Sequence, residues 1–198
     1  MYNRVIYRKN RWKRVALLLF LICFVIALVY LYHEYAPVFF YAERSYDSII
    51  LEASKRHHID PDLVRAVICQ ESKFNANAVG TKGEIGLMQI RPEKGAVSDW
   101  QKRYNQELRC KGVLFRPELN IEIGTWYLSE AVKNWSGYKY QYELALSEYN
   151  AGRSGMREWV PDKFDGEVLE HITISSTKLY VKSIMQQFQK YAEKREVK

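Results

Sequence analysis

The polarity pattern divides the chain near residue 42. Val15 to Tyr32 reads VALLLFLICFVIALVYLY, eighteen residues with neither a charge nor a polar face. A helix rising about 1.5 Å per residue would carry that run ~27 Å, close to the ~30 Å hydrocarbon core of a bilayer. Beyond it the apolar positions recur at helical spacing. Asp47 precedes SIILEASKRHH, with Ile49, Ile50 and Ala53 apolar. Asp60-Pro61 offers a side-chain cap followed by proline at the first helical position, and opens a helix through LVRAVICQES. From Phe74 to Pro92, asparagine, glycine and small residues predict a structured loop, and 95–118 reads as a looser polar stretch. Further helices are predicted from about Asn120, from Tyr140 to a glycine cap at Ala151-Gly152, and from Ser176 to about Glu193. Alternating strand patterns are scarce, so the expected class is mainly α: one globular domain behind one N-terminal transmembrane helix.

The expected divisions are a basic tail at 1–14, a membrane helix at 15–32, a linker at 33–46 and a globular domain at 47–193. Charge then sets the orientation. The formal net charge is +7, but residues 1–42 hold six cations (Arg4, Arg8, Lys9, Arg11, Lys13, Arg14) against Glu34 alone. That leaves only +2 beyond residue 42, from 24 cations and 22 acids, so no nucleic-acid partner is expected. Cations before the apolar run place the N-terminus in the cytoplasm and export the rest, and Tyr30, Tyr32 and Tyr35 suit the outer interface. A cleaved signal would want small residues at −3 and −1. HEYAPVFFYAERS has Phe40 at −3 of its best site, and Leu21-Ile22 before Cys23 argue against a lipoprotein. The expectation is an uncleaved, single-pass anchor in a cytoplasmic (inner) membrane, with the domain on its periplasmic side.

Cysteine and histidine add little. Cys23 lies in the apolar run, and Cys69 and Cys110 fit one disulfide or two free thiols equally. The four histidines lack ligand spacing, and His57-His58 suit a solvated helix end, so neither metal nor cofactor is expected. Among the acids, Glu71 stands apart. Val64, Val67 and Ile68 precede it by seven, four and three residues, which puts all four on one helix face. A carboxyl ending an apolar stripe can be desolvated and keep its proton near neutral pH, as a general acid must. A glutamate at a fraying helix end, with its head in water, fits the spacing equally.

The local sequence separates these readings. VRAVICQESKFNANAVGTKGEIGLMQIRPEKG, ALSEYNAG and TKLYVK, in that order, resemble the lytic transglycosylase catalytic domain of the lysozyme-like superfamily. The resemblance covers about residues 47–188. Its motifs fall on Glu71-Ser72, Gly86-Leu87-Met88-Gln89, Tyr149-Asn150-Ala151-Gly152 and the late Tyr180. It implies a lysozyme-like fold and cleavage of peptidoglycan strands between N-acetylmuramic acid and N-acetylglucosamine. Glu71 would be the acid and then the base, and the muramic acid's own 6-hydroxyl would close a 1,6-anhydro ring, without a second carboxylate. Ser72 resembles the serine near the acetamido and lactyl groups, Gln89 a polar cleft contact and Met88 the apolar floor. Tyr149 and Tyr180 resemble the tyrosines that orient glutamate and sugar, and Asn150 the amide that holds the acetamido group. Met88 as core filler, and Ser72 and Asn150 as helix-end hydrogen bonders, remain open alternatives.

Three positions depart from the family pattern: Glu84 before Gly-Leu-Met-Gln, Glu148 before Tyr-Asn-Ala-Gly, and Ser176 where an acid is usual. Glu84 and Glu148 are expected on solvated outer faces. If either entered the cleft it could position a water, and a lysozyme-like hydrolase becomes the competing enzyme. A catalytically silent peptidoglycan-binding or assembly factor is the competing non-enzyme. Any envelope machinery served stays unidentified.

Overall fold

The computed structural model describes residues 2–108 and 110–196, with side chains described over 12–35, 42–108 and 110–195. It divides into two units, residues 1–42 and 43–198.

The first unit is helical. Helix α1 runs Tyr2–Arg44, and within it Trp12–Tyr35 contains an eighteen-residue window of mean hydropathy 3.0, with every side chain exposed. A helix this apolar, with no polar face, is long enough to cross a membrane. Arg4, Arg8, Lys9 and Arg11 lie outside the described side chains. The stretch 33–46, expected as a linker, is helical to Arg44.

The second unit is built from α2 (Asp47–His57), α3 (Pro61–Ser72), α4 (Ala96–Tyr104), α5 (Pro117–Asn134), α6 (Gln141–Ala151) and α7 (Ser175–Glu196). Two short 3-10 turns, Lys111–Phe115 and Arg157–Trp159, join them. Among the described residues there is no strand; Val79, Ile85 and Ile90 form isolated antiparallel bridges. The expected mainly α class is what the fold shows. Asp60 caps α3 by accepting from the Asp62 N–H at 2.8 Å, with Pro61 at the first position. Helix α5 begins at Pro117, three residues before the expected start, because proline is preorganised for a helix's first turn. The stretch 95–118 holds α4 and a 3-10 turn, which its charges concealed. Only Ala96, Val97 and Trp100 of α4 are buried, too short a stripe to stand out. His57, expected at a solvated end, is buried against Trp100 and holds Glu122 at 2.8 Å. Cys69 and Cys110 are both free thiols.

Helix α5 is the hub. It packs against α2, α4, α6 and the first 3-10 turn, while α7 crosses α3 and α6. Ile121, Ile123 and Leu128 of α5 have no exposed surface; nor have Leu63, Val64, Val67 and Ile68 of α3. Each such side chain contributes ~1.5–3 kcal/mol on leaving water.

The loop between α3 and α4 is held on α5 by one amide. Asn120 Oδ1 accepts from the Met88 N–H at 2.8 Å, and Nδ2 donates to the carbonyls of Ile85 and Leu114, each at 2.8 Å. Gly86, with φ +78°, lies so close that a Cβ would strike this amide and the Leu114 carbonyl. A Cβ on Gly124 would strike the Met88 side chain. Asn120→Ala should therefore cost ~2–4 kcal/mol by orphaning buried backbone groups. In a domain of this size that lowers the melting temperature by roughly 6–12 °C. Thermal unfolding followed by circular dichroism checks it, and a change under about 2 °C would mean that the loop is held by something else.

Candidate active site

Glu71 sits in the last turn of α3, one turn beyond the buried Val67 and Ile68, and faces α7. The Tyr180 hydroxyl, from α7, donates to Glu71 Oε1 at 2.6 Å across 109 residues of sequence. Burial pushes the Glu71 carboxyl up to about 7, the Tyr180 hydrogen bond pulls it down, and the charge of Glu84 adds to the rise. Burial, and then the Glu71 charge, hold the hydroxyls of Tyr180 and Tyr149 well above the ordinary tyrosine range. Both phenols stay neutral donors. Glu71 thus has the proton affinity of a group that can give and take a proton near neutral pH.

A cavity of about 420 Å³ opens beside it, lined by Glu71, Gln89, Tyr149 and Asn150 from the expected set. Gln89 has a positive φ of 46°, strained for a side chain with a Cβ. Its Nε2 donates to the carbonyls of Gly86 (2.9 Å) and Ala78 (3.3 Å), so the amide braces the loop as well as lining the wall. The Tyr149 hydroxyl donates to the Met88 carbonyl at 3.0 Å. Asn150 Oδ1 accepts from Thr177 Oγ1 at 2.9 Å, which leaves Nδ2 to donate elsewhere.

Three expected residues, Tyr180, Met88 and Ser72, are outside this lining; Tyr180 reaches the site through its bond to Glu71. Met88, expected as the apolar floor, has no exposed surface and fills the space against Gly124. Its carbonyl serves the site and its side chain serves the core. The Ser72 hydroxyl donates to the Leu87 carbonyl at 2.9 Å and to Ile68 at 3.3 Å, tying α3 to the loop.

Both departing glutamates lie elsewhere than expected. Glu84 is no solvated outer residue: it lines the same cavity as Glu71. Glu84 Oε1 accepts from Arg91 Nε and Nη2, each at 3.1 Å, and Oε2 from the Lys82 N–H at 2.9 Å. Burial alone would raise its pKa, but backbone N–H groups of Glu84 and Lys82, with Arg91, outweigh it and the net shift is downward. Glu148 is buried, not solvated. It accepts from Trp135 Nε1 at 2.7 Å, Asn134 Nδ2 at 3.2 Å and Arg153 Nε at 3.1 Å, and it does not line the Glu71 cavity. Sequence reasoning missed Asn120, Arg91, Thr177 and Tyr127. Asn120 alone left a signal, a polar residue among apolar ones on a helix.

The transglycosylase SLT domain family model matches residues 48–171. The chain belongs to this family. The SLT domain here is 30% identical over 146 residues to a soluble lytic murein transglycosylase of Salmonella typhimurium, covering 71% of this chain and 22% of that protein. It is 28% identical over 130 residues to membrane-bound lytic murein transglycosylase C of Actinobacillus pleuropneumoniae, covering 62% of this chain and 35% of that one. Among solved structures it resembles an inactive glutamate-to-glutamine mutant of the lytic transglycosylase Slt from Pseudomonas aeruginosa. The TM-score is 0.65 at 25% identity, over 75% of this chain and 24% of that one. The chain therefore spans only about a quarter to a third of the length of these relatives. The structural match shows the lytic transglycosylase fold.

The Glu71–Tyr180 pair yields a direct prediction. The phenol donates to the carboxylate and favours the ionised form, so Tyr180→Phe should raise the Glu71 pKa further. Infrared titration of the Glu71 carboxyl band, assigned by its loss in Glu71→Gln, should place the parent midpoint at about 7 and the Tyr180→Phe midpoint higher. A parent midpoint in the ordinary glutamate range, or a downward move in the variant, would sink this account.

Proposed function

We propose that the SLT domain cleaves the glycan strands of peptidoglycan between N-acetylmuramic acid and N-acetylglucosamine, with Glu71 as its single acid/base, and leaves 1,6-anhydro ends. One observation carries this: a carboxyl with a pKa of about 7, bonded to a neutral phenol, at the wall of an open cavity. The relatives' names supply the polymer. That one relative is described as inactive with a single glutamate-to-glutamine change supports an essential glutamate.

Protonated Glu71 gives its proton to the bridging oxygen as the bond to the anomeric carbon breaks. The neighbouring acetamido oxygen stabilises the positive carbon. The Glu71 carboxylate then takes the proton of the muramic acid 6-hydroxyl as that oxygen closes on the anomeric carbon. The acid is regenerated and no water is consumed. Asn150 Nδ2, left available by Thr177, is suited to the acetamido oxygen, and Gln89 and Tyr149 to the sugar hydroxyls.

A hydrolytic reading draws on Glu84, which shares the cavity. Retaining and inverting hydrolases use a second carboxylate as nucleophile or base. Both oxygens of Glu84 are already taken by Arg91 and Lys82, which favours the anhydro route.

Mass spectrometry of products from peptidoglycan sacculi treated with the full chain in detergent separates the routes. The expected products are one water lighter than hydrolytic ones, and remain so in Glu84→Gln and Glu148→Ala. Glu71→Gln should lower the rate by ~10²–10⁴, the usual loss for a missing general acid. Retention of more than roughly a tenth of the parent rate, or a hydrated product that reverts to the anhydro form in Glu84→Gln, overturns the mechanism.

The reading extends to location: α1 anchors the chain in the cytoplasmic membrane with its N-terminus inside. The support is the uncharged apolar run Val15 to Tyr32 behind Lys13 and Arg14, and the membrane-bound relative. The full-length chain should pellet with membranes, and a tag after Lys198 should be cut by protease added outside that membrane. A soluble form beginning near Ala42 would replace the anchor with a cleaved signal.

A further inference from the structure

A second cavity, of about 700 Å³, lies between α4, α5 and the C-terminal end of α6. Tyr127 of α5 walls both cavities, and its ring centroid is 5.7 Å from that of Tyr149. The two spaces therefore meet at one aromatic residue, and a ligand in the second is next door to one at Glu71. Trp126 adds a second aromatic surface.

The charges around this cavity are of both signs, but they are unequally committed. Glu148 is held by Arg153 Nη2 at 3.0 Å, and Glu130 by Lys133 at 2.7 Å. Among the described residues, neither Lys102 nor Arg103 is in an ion pair. They face the cavity from the last turn of α4, against only Asp99 as an uncommitted acid. The helix dipole accounts for cations at that end of α4. It does not account for their facing an aromatic-walled hollow that shares Tyr127 with the candidate active site.

We infer that this second cavity binds the carboxylate-bearing peptide substituent of the strand whose sugars lie at Glu71, with Lys102 and Arg103 as the carboxylate ligands. The inference rests on the proposed function. The sugar backbone offers hydroxyls and amides, which need stacking surfaces and hydrogen bonds but not two uncommitted cations. The peptide carried by muramic acid supplies carboxylates, and it branches to the side of the strand. A hollow beside the cleft, with aromatic walls and free positive charge, matches that branch. Charge-assisted hydrogen bonds to a carboxylate are about twice as strong as neutral ones.

The test measures binding, so that it does not depend on turnover. The full chain carrying Glu71→Gln, in detergent micelles, is titrated with two preparations of one glycan. One bears peptides, and the other has been stripped by an amidase and its freed lactyl carboxylates capped as methyl amides. Peptide-bearing strands should bind roughly tenfold tighter, the equivalent of about 1.4 kcal/mol. Adding Lys102→Ala and Arg103→Ala, both at exposed positions, should bring the ratio close to one without changing the melting curve. Equal affinity for the two preparations in the parent protein overturns the inference. So does a preference that survives the double substitution. A double substitution that weakens both preparations alike would assign the cavity to sugar, and also overturns it. Failure of the unsubstituted chain to cleave either preparation would defeat the proposed function instead, while the binding ratio would still decide this site.

Discussion

The acid/base role proposed for Glu71 requires a carboxyl that is shielded from water and yet within reach of a sugar, and the last turn of α3 is suited to both demands. Burial against α7 raises the Glu71 carboxyl to about 7, and Tyr180 restrains the rise by donating to it. Neither effect suffices alone: desolvation without a donor would leave the group too weak an acid, and a donor without burial would leave it ionised. The arrangement opposes stability. A carboxyl whose folded pKa lies above its ordinary 4.5 favours folding at acid pH, and that contribution is lost as pH rises from 4.5 to about 7. The cost above that window is of the order of ~3 kcal/mol. The packing of α3 on α7 absorbs it.

The opposite wall of the cleft has no sheet beneath it. Loop 73–95 is stabilised by isolated bridges, by the Ser72 hydroxyl on the Leu87 carbonyl, and by Asn120 with three bonds to buried backbone. Gly86 and Gly124 let the loop approach α5 closely enough for this. A buried amide with three partners is more discriminating than an apolar contact, since a small displacement leaves several polar groups unpaired. That rigidity suits a wall that carries Gln89 in a left-handed conformation.

Extra carboxylates would be a hazard to the chemistry proposed for Glu71, and both here are tied down. Glu84 shares the cleft but spends both oxygens on Arg91 and a backbone N–H; it acts on Glu71 through its charge. Glu148 is turned to the other side of α6, where it fixes Arg153 beside the second cavity. Neighbouring helical positions point about 100° apart, so Glu148 and Tyr149 serve different spaces although they are adjacent in sequence.

The sequence by itself determined the helices other than α4, the apolar N-terminal segment and the family, because caps, prolines and helical spacing act over a few residues. Asp60-Pro61 specifies the start of α3 whatever packs on it, and the motif order around Glu71, Gln89 and Asn150 marks the cleft. It could not separate Met88 the floor from Met88 the filler, since both are apolar and only α5 decides which surface is covered. It could not give the destinations of Glu84 and Glu148, because a carboxylate's place depends on partners such as Arg91 and Trp135, and Trp135 lies in a different part of the chain. The pairing of Tyr180 with Glu71 is of the same kind. Two residues 109 apart meet only when α7 crosses α3, and the shift that raises the Glu71 carboxyl to about 7 exists only once that crossing has buried it.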